Sequence, residues 1–403
     1  MSYDVARVRG LIASLGDGWI HLDPQHGMLV PDRVSTVIST AFRSSASSAA
    51  GRHSSARRSA EIVDSARQAV ADLVGGTPEG VVLGASHAAL LGWLAESTSS
   101  RLGLGTGLML SRLDDEANVA PWLRVASRAG ARVRWAEVDI ETYEVPSWQF
   151  AELIGPTTRL AALTAGSAMI GSMPDVRAAA EKIHEVDGLL VVDASAVAPY
   201  RYLDIQESEA DVIAVSGPAW GGPPAGALVF RDPSLLDRLP SMSLNPRARG
   251  PERLEVGGHQ FAMLAGLEAS IDHLAGLDDR ATGARRARLE QSMTSLQNYH
   301  RDLLSYLTRS LARVPDLAIF GRTQGPLPTL SFAIDGIPAD KIAAHLAQHR
   351  VGVVHGLPSG GRFFDALGVT EIGGAVTMGL APYTTHFEID QFMDVLSGLD
   401  AAD

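Results

Sequence analysis

An alternation of short apolar segments with helix-like segments, from about residue 60 to residue 235, constrains the fold of this 403-residue chain more than any other feature. Such an alternation is typical of βα units, which build a mostly parallel sheet with helices on both faces. We therefore predict a large α/β domain around a seven-stranded sheet. The predicted strands are residues 80–85, 107–113, 132–139, 159–166, 188–195, 211–217 and 225–232.

The connection into the last of these strands is very short. It consists only of residues 218–224, with the sequence PAWGGPP. A parallel connection requires a crossover of a dozen or more residues, usually a helix. The last strand is therefore predicted to run antiparallel to its neighbours, which makes the sheet mixed.

The C-terminal part of the chain has a different pattern. Residues 283–314 predict one long helix, and a smaller α+β domain is predicted to follow it. We divide the chain into a small domain (1–20 and 285–403) and a large domain (21–284). The small domain's predicted elements are strand 327–335, helix 339–349, strand 351–354 and helix 386–399, and the Ser-rich stretch 42–55 predicts a loop at the surface or the pocket edge.

Charge and composition narrow the class of function. The formal net charge of −12 disfavours nucleic acid and anionic membranes as partners. No segment approaches the ~18 to 20 apolar residues that a membrane span needs, and the N-terminus lacks an apolar signal region. The chain has no cysteine, which excludes disulfides, thiolate nucleophiles and cysteine-ligated metals. We predict a cytoplasmic protein that uses no metal.

Lysine is rare in this sequence. Lys182 and Lys341 are the only two lysines of the chain, and both lie in predicted helices where surface positions are expected. Any chemistry that needs a lysine amine must use one of these two.

Several segments of the chain have the form of ligand-site motifs. An Asp ends the apolar strand in VVDASAVAPY, at the edge of an open α/β sheet where ligands bind. In order along the chain, the segments resemble the conserved regions of class V aminotransferases and cysteine desulfurases, from about residue 19 to residue 400. They are EGVVLGASHAAL (79–90), DDEANVAPW (114–122), VVDASAVAPY (191–200), DVIAVSGPAWGGPPAGALVF (211–230), RLEVGGHQ (253–260) and YTTHFEID (383–390).

This resemblance implies the pyridoxal-phosphate-dependent transferase fold of type I. It also implies a homodimer, because in that fold loops from both subunits close the pocket. Carried over residue by residue, it places the cofactor's vestigial contacts on seven positions. They are the phosphate turn Gly84, Ala85 and Ser86, the ring-stacking position Asp115, the pyridine partner Asp193, Ser216, and the neighbouring-subunit position Gly258.

The resemblance fails where the family's chemistry takes place. Ala219 stands where the family has the lysine that forms the Schiff base, and Pro218 replaces the histidine before it. Ala196 replaces a glutamine that bonds the cofactor ring, and Thr377 lies near the position of an arginine that binds the substrate carboxylate. No covalent cofactor is therefore expected, and no residue is predicted to be catalytic in the family's sense.

Two interpretations follow. The first is a pseudoenzyme, a non-catalytic scaffold, binding or regulatory protein with a degenerate site. The second is an atypical enzyme that holds pyridoxal or pyridoxamine phosphate noncovalently and acts on an amino-acid-like substrate, with a histidine as base. His87, His259 and His355 lie in segments that should face the pocket.

The charge of the expected ligand is left open. A Gly-Ala-Ser turn that opens a helix can bind a small anionic or phosphate-containing ligand, although small residues there more often cap the helix. Against an anion, Asp115, Glu116 and Asp193 predict an electronegative pocket entrance. Asp115 and Glu116 also fit an acid/base pair, a cation site or a simple loop cap.

Overall fold

The computed structural model describes residues 3–44, 48–49, 51–322, 325–356 and 361–399. Its strands form three sheets, of which the largest has seven strands in the order β2-β8-β7-β6-β5-β3-β4. In chain order the strands are β1 (Ile20–His21), β2 (Val81–Gly84), β3 (Gly107–Ser111), β4 (Arg132–Ala136), β5 (Thr158–Thr164), β6 (Leu189–Asp193), β7 (Val212–Ser216), β8 (Gly226–Phe230), β9 (Leu317–Phe320), β10 (Thr329–Ile334), β11 (Val351–Gly352), β12 (Val354–His355) and β13 (Val376–Gly379).

The seven strands predicted from the sequence all form, and together they make the large sheet. Strand β8 runs antiparallel to both of its neighbours, β2 and β7, whereas the other four strand pairs are parallel. The short connection 218–224 therefore joins two antiparallel strands, as predicted, and the predicted mixed α/β sheet is confirmed.

Helices cover both faces of this sheet because alternate strand residues point to opposite sides. On one face α4 and α5 bury Leu90, Leu94 and Trp122 against the strands. On the other face lie α3, α7 and α10. The helices are α1 (Val5–Arg9), α2 (Asp32–Arg43), α3 (Ser54–Val74), α4 (His87–Thr98), α5 (Ala120–Ala129), α6 (Trp148–Leu153), α7 (Val176–His184), α8 (Ile205–Ser208), α9 (Ser234–Arg238), α10 (Phe261–Ala275), α11 (Arg285–Leu311), α12 (Ala339–Gln348), α13 (Gly361–Ala366) and α14 (His386–Ser397).

The predicted Ser-rich loop at 42–55 is shorter than expected. Helix α2 continues to Arg43, and α3 begins at Ser54, where the ring nitrogen of His53 accepts a hydrogen bond from the Ala56 N–H. Residues 45–47 and 50 of the predicted loop lie outside the described part of the chain.

The C-terminal part contains a four-stranded sheet in the order β12-β13-β10-β9. Helices α11, α12 and α14 pack against it around Phe332, Ile342 and Phe392. Strand β1 pairs in parallel with β11, so the N-terminal segment joins this part of the molecule. The sequence pattern missed β9 and β13, which have only four residues each. Within the described residues, no helix is long and apolar enough to cross a membrane.

Candidate ligand-binding cavity

A cavity of about 320 Å³ opens at the carboxyl ends of the central parallel strands. Thr164, Asp193 and Ser216, the last residues of β5, β6 and β7, line its floor. The opposite wall comes from the turn 24–27 and from the small sheet with α13, through side chains that include Phe364 and Thr377. Ligands of open α/β sheets bind at this edge, so the fold places a binding site where the sequence predicts one.

Ala219 lies in the wall of this cavity. It belongs to a short 3-10 helix, Gly217–Trp220, that follows β7 and ends at Gly221 in a left-handed conformation (φ 79°). Trp220 holds the turn in place, since its ring is buried and its Nε1–H donates to the Ser270 hydroxyl at 2.9 Å. The turn is thus well packed, but it presents a methyl group where the family has an amine.

Neither lysine is among the residues that line the cavity. Lys182 lies on α7, where its Nζ contacts Glu185 Oε1 at 2.7 Å. Lys341 lies at an exposed position of α12, against the small sheet. Neither lysine amine is therefore in contact with the space inside the cavity.

Asp193 and His87 lie close to each other on the cavity surface. The Asp193 Oδ1 atom accepts the Ser195 N–H at 2.9 Å, and its Oδ2 atom lies 3.7 Å from His87 Nε2. His87 is the first residue of α4. A carboxylate beside an imidazole is an arrangement that orients a histidine for proton transfer.

The position of His87 depends on a close approach of β8. A Cβ atom on Gly226 would lie 2.1 Å from the His87 backbone nitrogen and 2.5 Å from the Ser86 carbonyl carbon. Only glycine allows β8 to pack this tightly against the start of α4.

The acidic residues near the entrance differ in their surroundings. Asp115 lines the cavity and accepts the Ala117 N–H at 2.8 Å, so it caps the short helix that follows. Glu116 instead accepts a hydrogen bond from Arg362 Nε at 2.6 Å and is absent from the lining. Asp114 is fully buried behind the wall, and burial raises its pKa well above the ordinary value.

No arginine or lysine occurs among the described residues that line the cavity. Asp193 and Asp115 supply its carboxylates. An anion would be repelled where it approached these carboxylates, whereas a neutral or cationic ligand would not be.

Several buried polar atoms around the cavity have no protein partner. They are both amide atoms of Gln25, the Ser195 hydroxyl and the Tyr200 hydroxyl. A buried polar atom without a hydrogen bond costs free energy, so these atoms indicate space for a polar ligand. Neither Gln25 nor Tyr200 was predicted to belong to the site, although Tyr200 is the last residue of the segment VVDASAVAPY.

The predicted phosphate turn faces another cavity. Gly84, Ala85 and Gly258 line a second cavity of about 350 Å³, together with Glu255 and His259. Ser86 lines neither cavity, and its hydroxyl accepts the Ala89 N–H at 3.2 Å as the helix cap. Of the seven positions carried over from the resemblance, Asp115, Asp193 and Ser216 alone share the main cavity.

The three candidate histidines are also separated. His87 lines the main cavity, and His259 lies in the second one, with its Nε2 atom 3.2 Å from Glu255. His355 is exposed, while its neighbours Val354 and Gly356 line the main cavity. Adjacent strand residues point to opposite faces, which explains why the expectation for His355 is wrong.

Within the described residues, no group of three or more His, Cys, Asp or Glu side chains is arranged to hold a metal ion.

A model of the family described as Aminotransferase class-V matches residues 20–392. The chain belongs to the class V aminotransferase family. It is 54% identical over 399 residues to the uncharacterized protein MT3887 of Mycobacterium tuberculosis (strain CDC 1551 / Oshkosh), which covers 99% of this chain and 100% of the relative.

Other class V relatives carry cysteine desulfurase names. A probable cysteine desulfurase of Xylella fastidiosa (strain 9a5c) is 26% identical over 395 residues, covering 94% of this chain and 91% of the relative. The crystal structure of the cysteine desulfurase CsdA from Escherichia coli superposes with a TM-score of 0.85 at 23% identity, over 98% of both chains. The apo cysteine desulfurase of Thermococcus onnurineus NA1 gives 0.86 at 20% identity, over 97% of both. These structures confirm the predicted type I fold.

The class V family depends on pyridoxal phosphate, which such enzymes bind through a lysine Schiff base and a partner of the pyridine nitrogen. Asp193, which lines the cavity, is the residue that would meet that nitrogen. The rest of the cavity does not fit the covalently bound group, because Ala219 offers no amine and no arginine or lysine of the described residues lines the cavity to meet a phosphate. The turn Gly84–Ser86, which would cradle the phosphate, contributes no lining residue.

Proposed function

We propose that this class V family member is a ligand-binding protein, with a scaffold or regulatory role, that does not perform Schiff-base chemistry. One observation carries the proposal: Ala219, which the resemblance assigns to the lysine position, lines the wall of the main cavity. The cavity keeps unpartnered polar atoms at Gln25, Ser195 and Tyr200, which favours a polar occupant. With Asp193 and Asp115 in its lining, it favours a neutral or cationic one.

The proposal predicts the outcome of mixing the protein with pyridoxal phosphate and reducing with borohydride. Wild-type protein should carry no stoichiometric adduct, since no amine faces the cavity. The variant Ala219→Lys should gain at most a weak one, because Asp115 and the missing cation leave the cofactor poorly held. Peptide mapping after reduction measures both. Ala168→Lys is the matched control, because it places a lysine at a different position of the same cavity lining.

Two outcomes of this experiment would contradict the proposal. A stoichiometric adduct on Lys182 or Lys341 of the wild type would mean that a lysine reaches the ligand. A stoichiometric adduct in Ala219→Lys but not in Ala168→Lys would mean that the cavity still accepts the cofactor.

A second candidate function is an enzyme that holds pyridoxal or pyridoxamine phosphate noncovalently on an amino-acid-like substrate. The 3.7 Å contact between His87 and Asp193 favours it, since it places a candidate base on the cavity surface. Equilibrium binding of pyridoxal phosphate to unreduced protein separates the two candidates. A dissociation constant above about 1 mM, or a binding free energy weaker than roughly 4 kcal/mol, rejects the enzyme hypothesis. Tighter binding supports it if the variant His87→Ala still binds the cofactor but loses activity.

We also propose that the chain forms a homodimer. An apolar groove runs beside the second cavity, between α2 and the Pro223–Pro224 turn, and includes Ile38 and Met263. Phe42 stands at its edge with 69% of its surface exposed. A second copy of the chain would cover this face and would close the cavity that contains Gly258.

Analytical ultracentrifugation tests this assembly. The wild type should sediment as a dimer at micromolar concentration, and Phe42→Asp should shift it toward monomer because a carboxylate would be buried at the contact. Leu104→Asp, at a position that is 90% exposed outside the groove, should leave the dimer intact. A monomeric wild type would refute the dimer, and a dimeric Phe42→Asp would place the contact elsewhere.

A further inference from the structure

A cleft of about 530 Å³ lies on the far side of Tyr200 from the main cavity. One wall is the loop that carries Tyr200 and Arg201, after β6. Helix α11 forms the second wall, and residues 325–328, which lead into β10, form the third. Tyr200 lines both the cleft and the main cavity, so the two spaces share this residue as a wall.

Arg201 is half-buried at the edge of this cleft without a counter-charge. Its Nη1 atom donates to the Pro326 carbonyl at 3.1 Å, and no carboxylate within the described residues lies at ion-pair distance from its guanidinium. Burial lowers the pKa of Arg201, and no neighbouring acid offsets this effect. A cation that is partly desolvated and unpaired is stabilised by any anion that reaches it.

A second guanidinium faces the same cleft. Arg301, on α11, donates to the amide oxygen of Asn298, one turn earlier on the helix. Asp302 is the one acidic residue in the described lining, and its carboxylate lies beyond ion-pair distance of both arginines. The described lining of the cleft thus has two arginines and one carboxylate, so its charged side chains are mostly positive. The charged side chains of the main cavity are carboxylates.

The deep end of the cleft holds two buried polar atoms without partners. His300 is only 4% exposed, and its Nε2 atom lies 3.0 Å from the Ala381 carbonyl. A carbonyl only accepts, so Nε2 carries a proton, and burial lowers the pKa of His300 to about 4, which keeps the ring neutral. Its Nδ1 atom is therefore an acceptor without a donor.

The Tyr200 hydroxyl is the other unpartnered atom. Its ring meets that of His300 edge to face, with 5.6 Å between the centroids, and its oxygen has no hydrogen-bond partner. Burial raises the pKa of Tyr200, so it stays a neutral phenol that can donate and accept. A ligand hydroxyl group in the cleft could supply the missing partner of the His300 Nδ1 atom or of the Tyr200 hydroxyl, since both residues line the cleft.

From this arrangement we propose that the cleft is a second binding site, for a small oxyanion that also carries a hydroxyl group. The anionic group pairs with Arg201 and Arg301, and the hydroxyl satisfies His300 or Tyr200. A 2-hydroxycarboxylate and protonated inorganic phosphate both have this chemistry. Because Tyr200 is shared, occupation of the cleft also restrains one wall of the main cavity.

The test uses three probes on the whole protein: inorganic phosphate, glycolate and acetate, each against chloride at equal ionic strength. Thermal unfolding and calorimetric titration measure binding. Glycolate should bind about tenfold more tightly than acetate, which differs from it only in lacking the hydroxyl. Phosphate binding without glycolate binding identifies a phosphate-selective site, and the reverse identifies a carboxylate-selective one.

Variants locate the site. Arg201→Gln and Arg301→Gln should each weaken binding of the better probe about tenfold, since each removes a charge-assisted hydrogen bond. Arg309→Gln, at an exposed position of the same helix α11, is the matched control and should bind as the wild type does. Tyr200→Phe should reduce the preference for glycolate over acetate without abolishing acetate binding.

Three results would overturn the proposal. The first is that none of the probes binds the wild type. The second is that Arg201→Gln and Arg309→Gln bind alike, which would place the anion elsewhere. The third is that glycolate and acetate bind equally. None of these results depends on pyridoxal phosphate or on Ala219, so the proposal can fail while the proposed function stands.

Discussion

Replacing Glu255 by alanine should lower the free energy of unfolding by about 3–5 kcal/mol, the cost of breaking a buried ion pair from one side. Glu255 is 8% exposed and lies against the edge strand β2. Its Oε1 atom accepts the Leu83 N–H at 2.9 Å, and its Oε2 atom contacts Arg67 Nη2 at 2.9 Å and His259 Nε2 at 3.2 Å. The variant would leave Arg67 as a buried charge without its partner.

Chemical denaturation of matched variants measures this effect. Glu252→Ala, three residues earlier at an exposed position, should change stability by less than about 0.5 kcal/mol. Glu255→Gln keeps an acceptor for the Leu83 N–H but loses the charge, so its loss should be smaller than that of Glu255→Ala. A loss in Glu255→Ala no larger than in Glu252→Ala would mean that the network contributes nothing to folding.

The same residue should make stability depend on pH. Burial alone raises the pKa of Glu255, but the hydrogen bond from His259 and the charge of Arg67 outweigh it, and the pKa lies below its ordinary value. A lowered carboxyl pKa adds stability above the ordinary pKa, and this stability is lost as the pH falls below about 4.5. Over that acid range the wild type should lose more stability than Glu255→Gln.

Replacing Gly226 by alanine should destabilise the protein by about 3 kcal/mol and disrupt the main cavity, because the new methyl group has no room. Its Cβ atom would lie 2.1 Å from the His87 backbone nitrogen, and backbone cannot rotate aside as a side chain can. Strand β8 and the start of α4 would have to separate. His87 would then move relative to Asp193.

Thermal unfolding and a crystal structure of Gly226→Ala would measure both effects. Gly92→Ala is the matched control, since Gly92 lies within α4 and no heavy atom stands within 4 Å of its added Cβ. Alanine there should stabilise the helix by roughly 0.5–1 kcal/mol. A Gly226→Ala protein as stable as the wild type, with His87 still beside Asp193, would contradict the prediction.

The strands and their directions could be predicted because they depend on neighbours along the chain. Buried strands are continuous apolar runs, and most of the seven were visible as such. Strand β4, with the sequence RVRWA, alternates polar and apolar residues instead. The antiparallel direction of β8 follows from the length of one connection, residues 218–224. The position of Asp193 at a strand end, and of Ala219 just after the next strand, follows from the same local pattern.

The partners of the site residues could not be predicted in this way. Glu116 is paired with Arg362, which is 246 residues away in the chain. Because the sequence pattern does not show this pair, Glu116 was predicted to contribute a negative charge to the cavity entrance. Gly84 ends β2 as Asp193 ends β6, and both strands end at the same edge of the sheet. Gly84 and Ala85 nevertheless line a second cavity, since β8 lies between β2 and the strands that form the main cavity.

The sequence by itself therefore determined the order of elements, the family and the absence of a lysine where a Schiff base would form. Only the tertiary structure decided which polar groups share a cavity, that His87 lies beside Asp193, and that Arg201 lies half-buried in a cleft without a counter-charge. The physical reason is that periodicity and turn chemistry act over a few residues, whereas burial, ion pairing and cavity shape depend on segments brought together by folding.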